Sequence, residues 1–174
     1  MVNFSLFSEP EKLYKQMLHD INNAKHSILL ETYLYKKDSV GNEFRATLTK
    51  KAKQGVKVKL LIDTWGSGLN KNYFKELIRL GGEVLFFREF TFVWRIFAKN
   101  HERNHRKLLI IDNKLSYIGS ANITHECLAW RELILRFEER EISKKLSTSF
   151  HRSWSFSKRF SKKILKDLFI GVLK

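Results

Sequence analysis

Residues 104–122 read NHRKLLIIDNKLSYIGSAN, and no other stretch constrains the fold as much. In an extended strand, residues two apart share a face. His105 and Lys107 therefore point the same way, Leu109 and Ile111 carry that face into a core, and Leu108 and Ile110 bury the other. Asp112-Asn113-Lys114 has turn chemistry, and Leu115 to Ile118 reads as the returning strand. Gly119-Ser120-Ala121-Asn122 then supplies small residues, a hydroxyl and an amide where backbone can approach an oxyanion closely. The expectation is a buried hairpin carrying a histidine and a lysine at one end. That pair suits a nucleophile and a cation around one phosphate.

A second motif overlaps the first. His101-Glu102-Arg103-Asn104-His105 spells H-E-x-x-H, in which two histidines one helical turn apart bind zinc. It works only on a helix. The residues after His105 have strand spacing, Phe92 to Phe97 is no better as a helix, and a third ligand at the usual spacing is missing, so a metalloprotease is set aside.

The chain has 174 residues, enough for one domain with a real core. Hydrophobic residues make up 43% and there is one proline, which argues against disorder. The single cysteine, Cys127, excludes an intrachain disulfide framework and fits a reducing compartment. Met1 to Ser8 is too short for a signal peptide and is followed by charge, and no run of about 18 apolar residues exists to span a bilayer. A formal net charge of +15 predicts affinity for polyanions, either nucleic acid or an anionic lipid surface, without choosing between them.

Ser8-Glu9-Pro10-Glu11 is a helix start, and Leu13, Met17, Leu18 and Ile21 follow at helical spacing. His26 to Tyr35 is a strand with Ile28, Leu30, Thr32 and Leu34 on one face and Leu29, Glu31, Tyr33 and Tyr35 on the other. Glu31 fits two readings, a carboxylate at a sheet edge or one beside the site. Val40 to Gln54 is a helix stopped by Gly55. Val56 to Asp63 is a strand ending in a second candidate carboxylate, Asp63, before the Gly-rich loop Thr64 to Asn70. Lys71 to Leu80 is a helix, Glu83 to Phe87 a strand, and Arg131 to Glu138 another. Phe90 to Phe97 reads as a core strand or as a loop that dips into lipid. This alternation implies an α/β sandwich, a mostly parallel mixed sheet flanked by helices.

The sequence divides into a domain over 1–153, ending in a helix from Glu139 to Ser153, and a tail over 154–174. In the tail Phe160, Ile164, Leu165, Leu168, Phe169 and Val172 fall on one helical face, and Lys158, Arg159, Lys162, Lys163 and Lys166 largely on the other. A basic amphipathic helix of this kind lies on a membrane surface or packs on its own domain or a partner subunit.

The central stretch resembles the phospholipase D superfamily, whose signature H-x-K-x4-D followed by G-S/G-x-N is filled by His105, Lys107, Asp112, Gly119, Ser120 and Asn122. The likeness extends to bacterial cardiolipin synthases, whose N-terminal half it resembles over roughly residues 6–154. His26 to Tyr35 with Glu31, Gly55-Val56-Lys57-Val58, Leu61-Ile62-Asp63 and Arg103 to Lys107 all follow that pattern. So does Trp130-Arg131-Glu132, with Glu in place of Asp. Those synthases carry two such motifs and this chain has one. The resemblance therefore implies a site completed by a second motif, from a homodimer partner or from a longer polypeptide.

The chemistry implied is phosphodiester transfer. His105 attacks phosphorus and forms a phosphohistidine, splitting one displacement into two. Lys107 neutralises the oxygens in place of a metal ion, so no metal or cofactor is expected. Gly119, Ser120 and Asn122 line the phosphate, and a second histidine protonates the leaving group. By resemblance Glu132 orients the nucleophilic imidazole and Asp112, though part of the catalytic signature, ties down the turn. Three functions follow: a phosphatidyltransferase or phospholipase of cardiolipin-synthase type, peripheral on the cytoplasmic face of an anionic membrane; a metal-independent endonuclease; or a single-motif binding module.

Overall fold

A computed structural model describes residues 3–87 and 103–172, with side chains as far as residue 161. A seven-stranded sheet has the order β1-β7-β6-β5-β2-β3-β4. Its strands are β1 (Phe4–Phe7), β2 (Ser27–Thr32), β3 (Lys57–Asp63), β4 (Glu83–Phe87), β5 (Leu108–Ile111), β6 (Leu115–Gly119) and β7 (Ile134–Phe137). Only β2 with β3 and β3 with β4 are parallel; the other four neighbouring pairs are antiparallel. The expected mostly parallel sheet is therefore corrected to a mixed, mostly antiparallel one. Crossover helices make only the β2-β3-β4 half. The β5-β6-β7 half is antiparallel: a tight turn joins β5 to β6, and a longer connection carrying a 3-10 turn (His125–Ala129) brings β7 back beside β6.

The alternation in β5 sorts its side chains as the sequence predicts. Leu109 and Ile111 join one buried cluster with Ile28, Leu30, Leu60 and Ile62, under α1 (Pro10–Asn23) and α2 (Ser39–Lys53). Leu108 and Ile110 join a second with Leu29, Leu61, Phe150 and Trp154. Phe150 and Trp154 belong to α5 (Arg140–Val172), a single helix of 33 residues that covers the other sheet face and runs from the domain into the tail without a break. The result is three layers, with the centre of the sheet buried on both faces.

Local differences have local causes. β1 escapes a sequence reading because its four residues at the sheet edge are mostly exposed and carry no inward pattern. The Gly-rich loop after β3 opens with one helical turn, α3 (Thr64–Ser67), whose first amides are capped by the Asp63 carboxylate. Lys71 to Leu80 is a 3-10 turn (Lys71–Phe74) running into α4 (Lys75–Arg79). β7 is shorter than Arg131 to Glu138 because Leu133 bonds through its backbone N–H and C=O to Ser120 rather than continuing the ladder. The segment Phe90 to Phe97 and residues His101 and Glu102 lie outside the described residues. From Arg103 to Lys107 the backbone is not helical, so the end of the H-E-x-x-H string that is described lacks the helix it needs.

Candidate active site

β5 runs antiparallel to β2, so the residues that enter it lie beyond the C-terminal ends of β2 and β3. There His105 is exposed and Lys107 is buried. Their side chains meet around one residue. The Tyr33 ring lies 4.8 Å from the His105 imidazole, tilted by 52°, and the Lys107 Nζ sits 5.3 Å from the same ring centre. The Lys107 ammonium also donates to the His105 carbonyl at 2.8 Å. Burial pulls the Lys107 pKa below the ordinary lysine value, against the attraction of Glu132, Cys127 and Asp63.

Asn104 anchors this segment. Its backbone N–H donates to Asp63 Oδ2 at 2.8 Å and its side-chain amide donates to Glu31 Oε1 at 2.6 Å. The other oxygen of Asp63 accepts from Trp65 and Gly66, so one carboxylate holds both the segment that leads into β5 and the loop after β3. Glu31 does not lie at a sheet edge; its carboxylate bonds Asn104, the neighbour of His105. Glu31 is fully buried in β2, an interior strand, and burial raises its pKa, with Asn104 and Arg106 opposing. Among the described residues its Oε2 has no hydrogen-bond partner; the Arg106 guanidinium lies 3.5 Å away. Arg106 itself donates to Ser153 Oγ and reaches the Ser149 carbonyl on α5.

Asp112 is elsewhere. It sits at the far end of β5, seven residues from His105, or about 20 Å along an extended chain. Its carboxylate accepts from the backbone N–H groups of Lys25, His26 and Ser27 at 2.7–2.8 Å. Burial alone would raise its pKa; the three donors outweigh that and hold it below the ordinary aspartate value. Asp112 and Asn113 both have positive φ, 53° and 50°, which these two residue types tolerate in a tight hairpin turn. Asp112, a member of the signature, thus lies apart from His105 and Lys107 and fastens the hairpin to the start of β2.

The glycine, serine and asparagine of the signature do structural work as well. A Cβ on Gly119 would stand 2.1 Å from the Leu133 carbonyl and 2.7 Å from Ile134 Cα, so the close approach of β7 requires glycine there. Ser120 Oγ accepts from Leu133 N–H at 2.9 Å. Asn122 Oδ1 accepts from Leu34 N–H at 3.0 Å, which leaves the amide's N–H donors for another partner. Glu132 is buried, and its carboxylate interacts with Lys107, Cys127 and Tyr14. Among the described residues neither Glu132 nor any other side chain hydrogen-bonds the His105 imidazole. The site therefore presents an exposed imidazole beside a partly desolvated ammonium, which fits nucleophilic attack on a phosphoryl group.

Sequence reasoning missed Asn104, Tyr33 and Arg106. Asn104 and Arg106 flank His105 within the segment that follows the family pattern, but no role was assigned to either. Tyr33 shares the alternation of Glu31, a sign that it belongs to the same end of the sheet.

The architecture is that of the phospholipase D superfamily. NucT from Helicobacter pylori superposes with a TM-score of 0.73 at 18% identity, covering 89% of this chain and 97% of that one. A phosphatidylserine synthase from Haemophilus influenzae superposes with a TM-score of 0.65 at 15% identity, covering 83% of this chain and 35% of that one. Residues 17–154 match the family described as cardiolipin synthase, PLD-like domain, and the chain belongs to that family. A cardiolipin synthase of Clostridium perfringens is 34% identical over 177 residues, covering 97% of this chain and 37% of the relative. The major cardiolipin synthase of Bacillus subtilis is 35% identical, covering 89% of this chain and 35% of that protein. The chain thus spans little more than a third of the length of these relatives.

Proposed function

We propose that this chain is a phosphodiester-transferring domain of cardiolipin-synthase type that works through a phosphohistidine on His105. The observation that carries the proposal is the convergence of His105 and Lys107 on Tyr33, at a strand end fixed by two buried carboxylates. A ring nitrogen of His105 attacks phosphorus as the bond to the leaving alkoxide breaks. The alkoxide takes a proton from the histidine of a second motif, and that histidine then removes the proton of the acceptor hydroxyl. The acceptor oxygen displaces the His105 nitrogen and restores the imidazole. Lys107 and the Asn122 amide offset charge on the phosphoryl oxygens. Ser120 adds its hydroxyl proton, and Glu132, on the family resemblance, orients the imidazole. The second motif comes from another copy of the chain or from a further domain.

The donor in this proposal is an anionic phospholipid, and water or a lipid hydroxyl is the acceptor. The +15 charge supports docking on an anionic bilayer surface at the cytoplasmic face, where each nearby Lys or Arg contributes roughly 1 kcal/mol. Among the described residues no helix is long and apolar enough to cross a membrane. The same charge favours a second reading, a metal-independent endonuclease, because phosphate contacts dominate nucleic-acid binding. Turnover of wild type and His105→Ala on phosphatidylglycerol vesicles and on single-stranded DNA, with EDTA present, separates the two. Lipid turnover lost in the mutant supports the first reading. DNA cleavage alone, lost in the same mutant, replaces it with the second.

A further inference from the structure

The His105 imidazole is exposed and has no hydrogen-bond partner among the described residues, so hydrogen bonding does not set its orientation. A histidine on an open backbone has three χ1 wells and a broad χ2, and only a small part of that range aims a ring nitrogen along one line of attack. What does contact the imidazole is Tyr33, at 4.8 Å between ring centres. The Lys107 ammonium approaches the same ring. Tyr33 is itself held. Its hydroxyl accepts from Arg103 Nη1 at 3.1 Å, and its carbonyl accepts from Ser67 Oγ at 3.2 Å. The loop after β3 presses on it so closely that a Cβ on Gly66 would stand 2.4 Å from the Tyr33 carbonyl. Arg103 in turn lies over the Trp65 ring at 5.6 Å.

We propose that Tyr33 is the positioning residue of the nucleophile: its ring sets the plane of the His105 imidazole and the place of the Lys107 ammonium together. The inference rests on the phosphohistidine reading of the site and adds a residue to it. A tyrosine that merely filled space at the end of β2 would be packed among apolar side chains. This one is half-buried, and its ring and hydroxyl contact His105, Lys107 and Arg103, three residues of one five-residue segment. The ring needs no proton transfer to do this, so the aromatic face rather than the hydroxyl carries most of the effect. The hydroxyl's bond to Arg103 keeps the face in place.

The test compares wild type, Tyr33→Phe, Tyr33→Leu and His105→Ala in the full chain, with two readouts. The first is steady-state turnover of phosphatidylglycerol vesicles. Tyr33→Leu is expected to lower kcat about 10- to 100-fold, the range for a misplaced reacting group, with KM within about threefold, and Tyr33→Phe to recover most of the loss. The second needs no activity: the imidazole proton resonances of His105, assigned by their absence in His105→Ala, should move on Tyr33→Leu as the ring current is lost and move much less on Tyr33→Phe. If Tyr33→Leu does not fold, Tyr33→Met, of similar bulk and without a ring, takes its place. A raised KM with kcat unchanged would make Tyr33 a substrate contact instead and overturn the inference, as would His105 resonances indifferent to the loss of the ring. Turnover that survives His105→Ala would remove the phosphohistidine reading instead, and the resonances would still decide whether Tyr33 orients the imidazole.

Discussion

Replacing Asp112 with alanine should separate stability from chemistry at a residue of the signature itself. The substitution removes three backbone N–H partners at 2.7–2.8 Å and places an ordinary side chain at φ 53°. Hydrogen bonds to a charged acceptor contribute about 1.5–3 kcal/mol each, but these three share one half-buried carboxylate and water replaces part of the loss. The left-handed backbone adds roughly 1 kcal/mol for alanine. A total near 2–4 kcal/mol follows, which in a domain of this size lowers the Tm by roughly 5–15 °C. Asp112→Asn keeps the turn and part of the acceptor set and should lose about half as much. Urea denaturation of the three proteins measures the cost, and kcat measured well below each Tm should stay within about threefold of wild type. The stabilisation also titrates. The folded carboxyl is held below its ordinary value, so its contribution is present above about pH 4 and is lost as pH falls through the lower folded value. A stable Asp112→Ala protein with kcat down a hundredfold would refute this reasoning and return the residue to the chemistry.

Other substitutions probe the rest of the site. Glu31 has a raised folded pKa, so its contribution to stability is full below about pH 4 and is lost as pH rises through the folded value. Glu31→Gln should gain stability relative to wild type between pH 4 and 8 in urea melts at each pH, and an unchanged difference would contradict the assignment. Asn104→Ala strips that carboxylate of the hydrogen bond to Oε1 and should cost about 1.5–3 kcal/mol by the same measurement. Gly119→Ala forces a Cβ into the Leu133 carbonyl and should destabilise by at least about 1–3 kcal/mol, seen as a lowered Tm. Phe150→Ala empties the middle of the cluster beneath α5 and should cost about 3–5 kcal/mol in chemical denaturation.

The hairpin from Leu108 to Gly119 was legible because alternation and turn chemistry agreed, and the structure divides its side chains between two cores as that alternation requires. The parallel half of the sheet was legible from helix-strand alternation. The direction of β7 against β6 and of β5 against β2 was not, because both follow long connections, whose length allows either direction. Within the site, His105 and Lys107 announced themselves by spacing. Asp112 was legible as a tie for the turn, but its partners, the backbone amides of Lys25, His26 and Ser27, were not, because they lie more than eighty residues away in the chain. Asn104 and Tyr33 stayed silent because their roles depend on contacts with Glu31, Asp63 and Arg103, which are distant in the chain and adjacent only after β2, β3 and β5 align.

The unbroken run of α5 from Arg140 to Val172 makes the helix a carrier of rotational phase. Phe150 and Trp154 seat it on the sheet, and every later residue advances by about 100° from that setting. The direction in which Lys158 and Arg159 face is thus decided about one turn earlier, by two aromatic side chains in the core. Deleting Ser155 would leave the packing of Phe150 and Trp154 in place. It would nevertheless swing those two basic side chains through more than a quarter of a turn.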